Sequence, residues 1–168
     1  MPPIRVDAGH FSPDTRAFIE LLHAHGVRYL IVGGEAVILH GHVRLTGDVD
    51  FFFAHDRANS ERLFAALERF WDGDVPGLED AEALGPEGTI VQFGVPPNRI
   101  DLINSIEGVD FEEAWDGRLE CLLVTQTGEV PLPYIGLAEL IKNKRATGRP
   151  KDLDDLQYLT GGDVSGSK

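Results

Sequence analysis

The sequence is poor in several things, and each shortage excludes something. It has one cysteine, Cys121, in 168 residues, so no internal disulfide can form and a reducing cytoplasm is the expected setting. That cysteine lies in the apolar run Cys121-Leu122-Leu123-Val124, which reads as a buried structural thiol rather than a nucleophile. No long apolar run opens the chain, so neither a signal peptide nor a membrane helix is expected. There is no Gly-x-Gly-x-x-Gly loop, no Walker-type lysine loop and no Ser-His-Asp set. Basic residues are outnumbered 15 to 28 by acidic ones, for a net charge of −13. Such a charge opposes broad, sequence-blind binding to nucleic acid, and no aromatic-and-basic platform for single strands is visible.

What is present centres on residues 32 to 53. A strand over Arg28–Val32 runs into Gly33-Gly34, where the backbone has freedom for a tight turn or for close approach to a ligand. A short helix over Glu35–His40 would then point its free N–H groups over the turn, an arrangement suited to phosphate. Thirteen residues after the glycines (35 to 47) the next strand begins, Asp48-Val49-Asp50-Phe51-Phe52-Phe53. Alternation along a strand puts Asp48 and Asp50 on one face and Val49 on the other. Two carboxylates on one face suit a hard cation such as Mg²⁺, which also takes phosphate oxygens, and the combination points to a nucleoside triphosphate. The Asp-x-Asp spacing alone carries little, since Asp72-Gly73-Asp74 and Asp152-Leu153-Asp154 repeat it. The preceding glycines and the following phenylalanines make the difference, because acids at the mouth of a buried strand are costly unless paired or metal-bound.

A third acid fits the same picture. Thr89–Phe93 and Arg99–Ile103 read as a hairpin, and Asp101 stands alone among Ile100, Leu102 and Ile103. If its strand pairs with the Asp48 strand, Asp101 comes within about 5 Å of one of the two carboxylates, and three like charges that close need a cation. The competing reading is an ion pair of Asp101 with Arg99 or Arg44.

Gly33-Gly34 followed by Asp48-Val49-Asp50 resembles the signature of the polymerase-β-type nucleotidyltransferase superfamily. The longer string from Gly33-Gly34-Glu35-Ala36 through Leu39-His40-Gly41 to Arg44-Leu45-Thr46-Gly47-Asp48-Val49-Asp50 is similar to small bacterial nucleotidyltransferases, the abortive-infection toxin-like proteins and their stand-alone relatives. The resemblance implies transfer of NMP from an NTP, ATP among the candidates, to a hydroxyl acceptor (tRNA, protein or small molecule), with release of pyrophosphate. It implies Mg²⁺ on Asp48, Asp50 and Asp101, the last being the superfamily's third carboxylate. Gly33, Gly34, Lys144 and, more weakly, Arg44 would contact the nucleotide. A toxin–antitoxin partner protein is a further implication. The alternative is a non-catalytic nucleotide-binding or antitoxin-like partner with the same fold.

Around this centre the chain reads as one α/β (α+β) domain over 1–168, with a core at 28–135 and closing helices at 136–160. The sheet is expected to be small, mixed and twisted, with helices on one side. Residues 1 to 10 read as a loose arm, Ser12-Pro13 opens a helix that Gly26 stops, and a helix is expected from Ser60 to Trp71. A short helix over Asp110–Trp115 precedes a hairpin of Leu119–Thr125 with Val130–Ile135, whose Pro131 and Pro133 suggest an edge. Gly148-Arg149-Pro150 separates the last two helices. Lys142, Lys144, Arg145, Arg149 and Lys151 fall in ten positions with no acid, either a solvated face or an anion clamp. His40 and His42 offer a zinc spacing to Asp48 that nothing else in the sequence supports.

Overall fold

A computed structural model describes residues 2–42 and 46–161. Strand β1 (Ile4–Asp7) and a 3₁₀ turn precede α1 (Pro13–Ala24), β2 (Tyr29–Val32), α2 (Gly33–Leu39) and β3 (Asp48–Phe53). Next come α3 (Arg57–Phe70), a 3₁₀ turn at Ala81–Leu84, and the pair β4 (Ile90–Phe93) and β5 (Arg99–Ile103). Then α4 (Phe111–Asp116), β6 (Leu119–Thr125), β7 (Gly128–Tyr134), α5 (Leu137–Thr147) and α6 (Pro150–Leu159) complete the chain. The strands form one mixed sheet in the order β1-β6-β7-β2-β3-β5-β4.

The middle of the sheet is its most apolar part. All of β2 is buried, and Phe51, Phe52 and Phe53 of β3 are at most 1 % exposed. Side chains alternate, so consecutive phenylalanines anchor both faces at about 1.5–3 kcal/mol each. Phe51 meets Phe18 of α1 at 5.3 Å between ring centroids, and Phe52 meets Phe111 of α4 at 5.2 Å. Helices α1 and α3 therefore back one face, as expected, while α4 crosses the other, the face that Asp48 and Asp50 share with Phe52.

Several elements differ from expectation for identifiable reasons. The N-terminal arm is a strand: Ile4 to Asp7 pair in parallel with Cys121 to Val124 of β6, and His10 beyond it bonds Glu35. Helix α2 starts at Gly33 rather than Glu35, straight off an extended Val32. Helix α3 starts at Arg57 because Asp56 caps it, accepting from the Asn59 N–H, while the buried Asn59 amide ties Arg28 and Ala54. Strand β7 is internal and not an edge, and its short ladder with β2 pairs Ile31 with Tyr134. Pro131 and Pro133, which lack a donor, lie where β6 is the paired neighbour. The closing helices form as read, with Gly148 in the left-handed conformation after α5 and Pro150 opening α6.

Candidate active site

The three acids are brought together by strand register. Strands β3 and β5 run parallel, with Asp48 opposite Arg99 and Asp50 opposite Asp101. In a parallel pair opposed residues share a face, so Asp48, Asp50, Arg99 and Asp101 all project to one side. Oxygens of Asp48, Asp50 and Asp101 lie within 4.8 Å of one another. The phenylalanine run that follows Asp50 and the Ile100 and Leu102 neighbours of Asp101 hold this register from below, since a one-residue slip would turn the acids into the core.

Both ion-pair and cluster readings of Asp101 hold at once. Arg99 Nε donates to Asp101 Oδ1 at 2.8 Å, and its Nη2 donates to Asp101 Oδ2 at 3.1 Å and to Asp48 Oδ2 at 3.0 Å. Thr46 Oγ1 donates to Asp48 Oδ1 at 3.3 Å, and Gln92 Nε2 reaches Asp101 Oδ2 at 3.4 Å. Asp50 is treated differently: its Oδ1 is buried with no hydrogen-bond partner. Burial, and then the neighbouring charges of Asp48 and Asp101, push the Asp50 carboxyl up to about 8. Asp101 is also raised, mainly by burial, against the opposing pull of Arg99. Burial alone would raise Asp48, but hydrogen bonds from its carboxyl neighbours and Arg99 outweigh it and lower the carboxyl.

The glycine turn serves this cluster directly. Gly33 has φ +66°, and a Cβ there would stand 2.2 Å from Asp50 Oδ2. Only a residue without a side chain lets the Asp50 carboxylate tuck against the start of α2. A buried, unpartnered carboxylate oxygen beside two further carboxylates is a donor set for a hard divalent cation, so these residues fit the ion that the sequence reading expects.

The other expected contacts fare variously. Gly34 is the second residue of α2, and Arg44 lies outside the described residues. Lys144 is 4 % exposed, with its Nζ 3.1 Å from Asp152 Oδ1 and 3.2 Å from Asp155 Oδ2. The basic run is largely spoken for: Lys142 pairs with Glu113 and Arg149 with Asp152. His40 bonds the Ile135 carbonyl, while His42 bonds Asp155 and stacks on Tyr158 at 3.8 Å, so the two histidines serve different partners. The sequence reading missed Thr46 and Gln92 and saw only half of the Arg99 contact. The signal was available for Arg99, two residues before Asp101 and thus on its face. Gln92 could not be placed without the β4–β5 register, which sets it opposite Asp101. An open cleft of about 820 Å³ lined by Phe52, Ile106, Phe111 and Glu112 contains none of the three aspartates.

Among the described residues no helix is long and apolar enough to cross a membrane. A search of curated proteins gives no match to the chain. A family model described as "Nucleotidyltransferase of unknown function (DUF6036)" matches residues 14–160, which takes in both glycines, all three aspartates and both closing helices. The chain belongs to this nucleotidyltransferase family.

Proposed function

We propose that the protein is a Mg²⁺-dependent nucleotidyltransferase that moves the NMP group of an NTP to a hydroxyl acceptor. The observation that carries this reading is the convergence of Asp48, Asp50 and Asp101 around a buried Asp50 oxygen that has no partner in the protein. In the reaction the acceptor oxygen bonds to the α-phosphorus, the α–β phosphoanhydride bond breaks, and pyrophosphate leaves with the bonding electrons. Asp48 and Asp50 would hold the ion, and Asp101 would share it and take the hydroxyl proton. A carboxylate within hydrogen-bond reach of the hydroxyl can accept its proton as a general base. When bound, the cation supplies charge stabilisation to the attacking and leaving oxygens. The N–H groups of Gly33 and Gly34, with Arg44 and Lys144, would hold the phosphates. For Lys144 this role requires its ammonium to leave Asp152 and Asp155.

The test uses NTPs labelled at the α or the γ phosphate, incubated with the protein, Mg²⁺ and a cell extract. Covalent label is expected from the α position only, and chelation of Mg²⁺ should abolish it. Label from the γ position would mean phosphoryl transfer. Reversible nucleotide binding with no covalent product would make the protein a binding module.

A further inference from the structure

We infer that Arg99 is the resident counter-cation of the carboxylate cluster, with which an entering divalent cation competes. The inference rests on the metal-binding reading above. Its basis is the way the oxygens are already engaged. A carboxylate oxygen has two lone-pair directions. On Asp101 Oδ2 they are taken by Arg99 Nη2 at 3.1 Å and Gln92 Nε2 at 3.4 Å. Asp101 Oδ1 carries Arg99 Nε at 2.8 Å. The same Nη2 reaches across to Asp48 Oδ2 at 3.0 Å, while Asp48 Oδ1 accepts from Thr46. Asp50 alone keeps a buried oxygen with no hydrogen bond. Two of the three ligands thus already share one guanidinium, and only the third keeps an oxygen with no hydrogen bond.

The consequence has a definite sign. Arg99 does not have to hold the acids in place, because β3 and β5 set them in register through the backbone. Its charge opposes a second cation, and its hydrogen bonds compete with a metal for oxygens of Asp48 and Asp101. Removing it should therefore tighten the site for a bare ion. The expected size is roughly tenfold, which charges of two and one give at about 6 Å in a water-like dielectric. Arg99 is then a competing counter-ion: it offsets the charge of the ion-free cluster and makes ion binding weaker than three aspartates alone would.

Mn²⁺ is the probe, with free Mn²⁺ counted by electron paramagnetic resonance and the melting temperature of each protein followed with and without it. Arg99→Gln should bind Mn²⁺ roughly tenfold more tightly than wild type and melt lower without the ion. Its melting temperature should recover towards wild type when saturated. Arg99→Lys keeps the charge but not the fork that spans two carboxylates, and should fall between. It also carries the test if the glutamine variant does not fold. Arg57→Gln removes the same charge from an exposed pair with Glu61 and should change nothing. Unchanged or weaker Mn²⁺ binding in both Arg99 variants would overturn the inference and make Arg99 a supporting hydrogen-bond donor to the ligands. If wild type binds no Mn²⁺ that Asp50→Asn removes, the metal-site reading itself fails, and the inference with it.

Discussion

The residue whose surroundings say most is Asp50, because one of its carboxylate oxygens is buried beside two other acids and it lacks the arginine they share. Its carboxyl is pushed up to about 8, above the ordinary carboxylate value, so the metal-free fold favours its protonated form. The sign follows from linkage. This contribution to stability is fully present below the unfolded value near 4 and is lost as pH rises through about 8. Melting of the metal-free protein should therefore fall from pH 5 to pH 8.5 more steeply in wild type than in Asp50→Asn, which cannot ionise there. Parallel curves for the two would contradict the burial of an uncompensated charge. Gly33 gives a second residue-scale test. Gly33→Ala forces a side chain into φ +66° and within 2.2 Å of Asp50 Oδ2. The backbone strain alone costs about 1–2 kcal/mol, and the displaced carboxylate should also weaken Mn²⁺ binding. A variant with wild-type melting and wild-type Mn²⁺ affinity would show that the close approach is unimportant.

At the scale of elements, the closing helices are held by a buried ionic cluster. Lys144 of α5 meets Asp152 and Asp155 of α6, and Asp155 meets His42 just beyond α2. Burial would raise the Asp152 carboxyl, but hydrogen bonds from Arg149, Thr147 and Lys144 overcome it and hold the group well below the usual carboxylate range. Removing the lysine leaves two buried carboxylates short of a cation. Lys144→Met should therefore lose about 3 kcal/mol, or on the order of 10 °C in melting temperature, whereas the exposed Arg145→Ala should lose little. Loss of NTP binding by Lys144→Met with an unchanged melting temperature would instead assign the lysine to phosphate. This cluster also marks where sequence reading stops. The Gly-Gly turn, the Asp-x-Asp strand and Asp101 were legible because period-2 alternation and a lone acid among isoleucines and leucines are local signals. The cap at Asp56, which accepts from the Asn59 N–H, is equally local. The parallel partnership of β1 with β6 and the internal place of β7 depend on contacts more than a hundred residues apart for β1, and no local pattern carries them. Likewise, five basic residues in ten positions read as either a solvated face or an anion clamp, and the carboxylates Glu113, Asp152 and Asp155 that pair with Lys142 and Lys144 become visible only once the helices pack.

At the scale of the whole molecule, a chain at −13 brings three carboxylates of β3 and β5 into one cluster on its sheet. Ligands that bind the native state alone raise its stability by mass action, by about 2.7 kcal/mol at a hundredfold excess over the dissociation constant. Divalent cations should therefore raise the melting temperature of wild type and leave that of Asp50→Asn unmoved, although many other carboxylates remain on its surface. Aspartate and asparagine have nearly the same volume, so the substitution removes the ability to ionise beside Asp48 and Asp101 without opening a cavity. Fold and activity should thus separate. The most direct measurement compares wild type and Asp50→Asn side by side, following melting temperature and transfer of α-labelled NMP to an acceptor in the presence of Mg²⁺. The predicted result is a melting temperature equal to or above wild type in the variant, with transfer abolished. Transfer at the wild-type rate by Asp50→Asn would contradict the assignment of this cluster to the reaction.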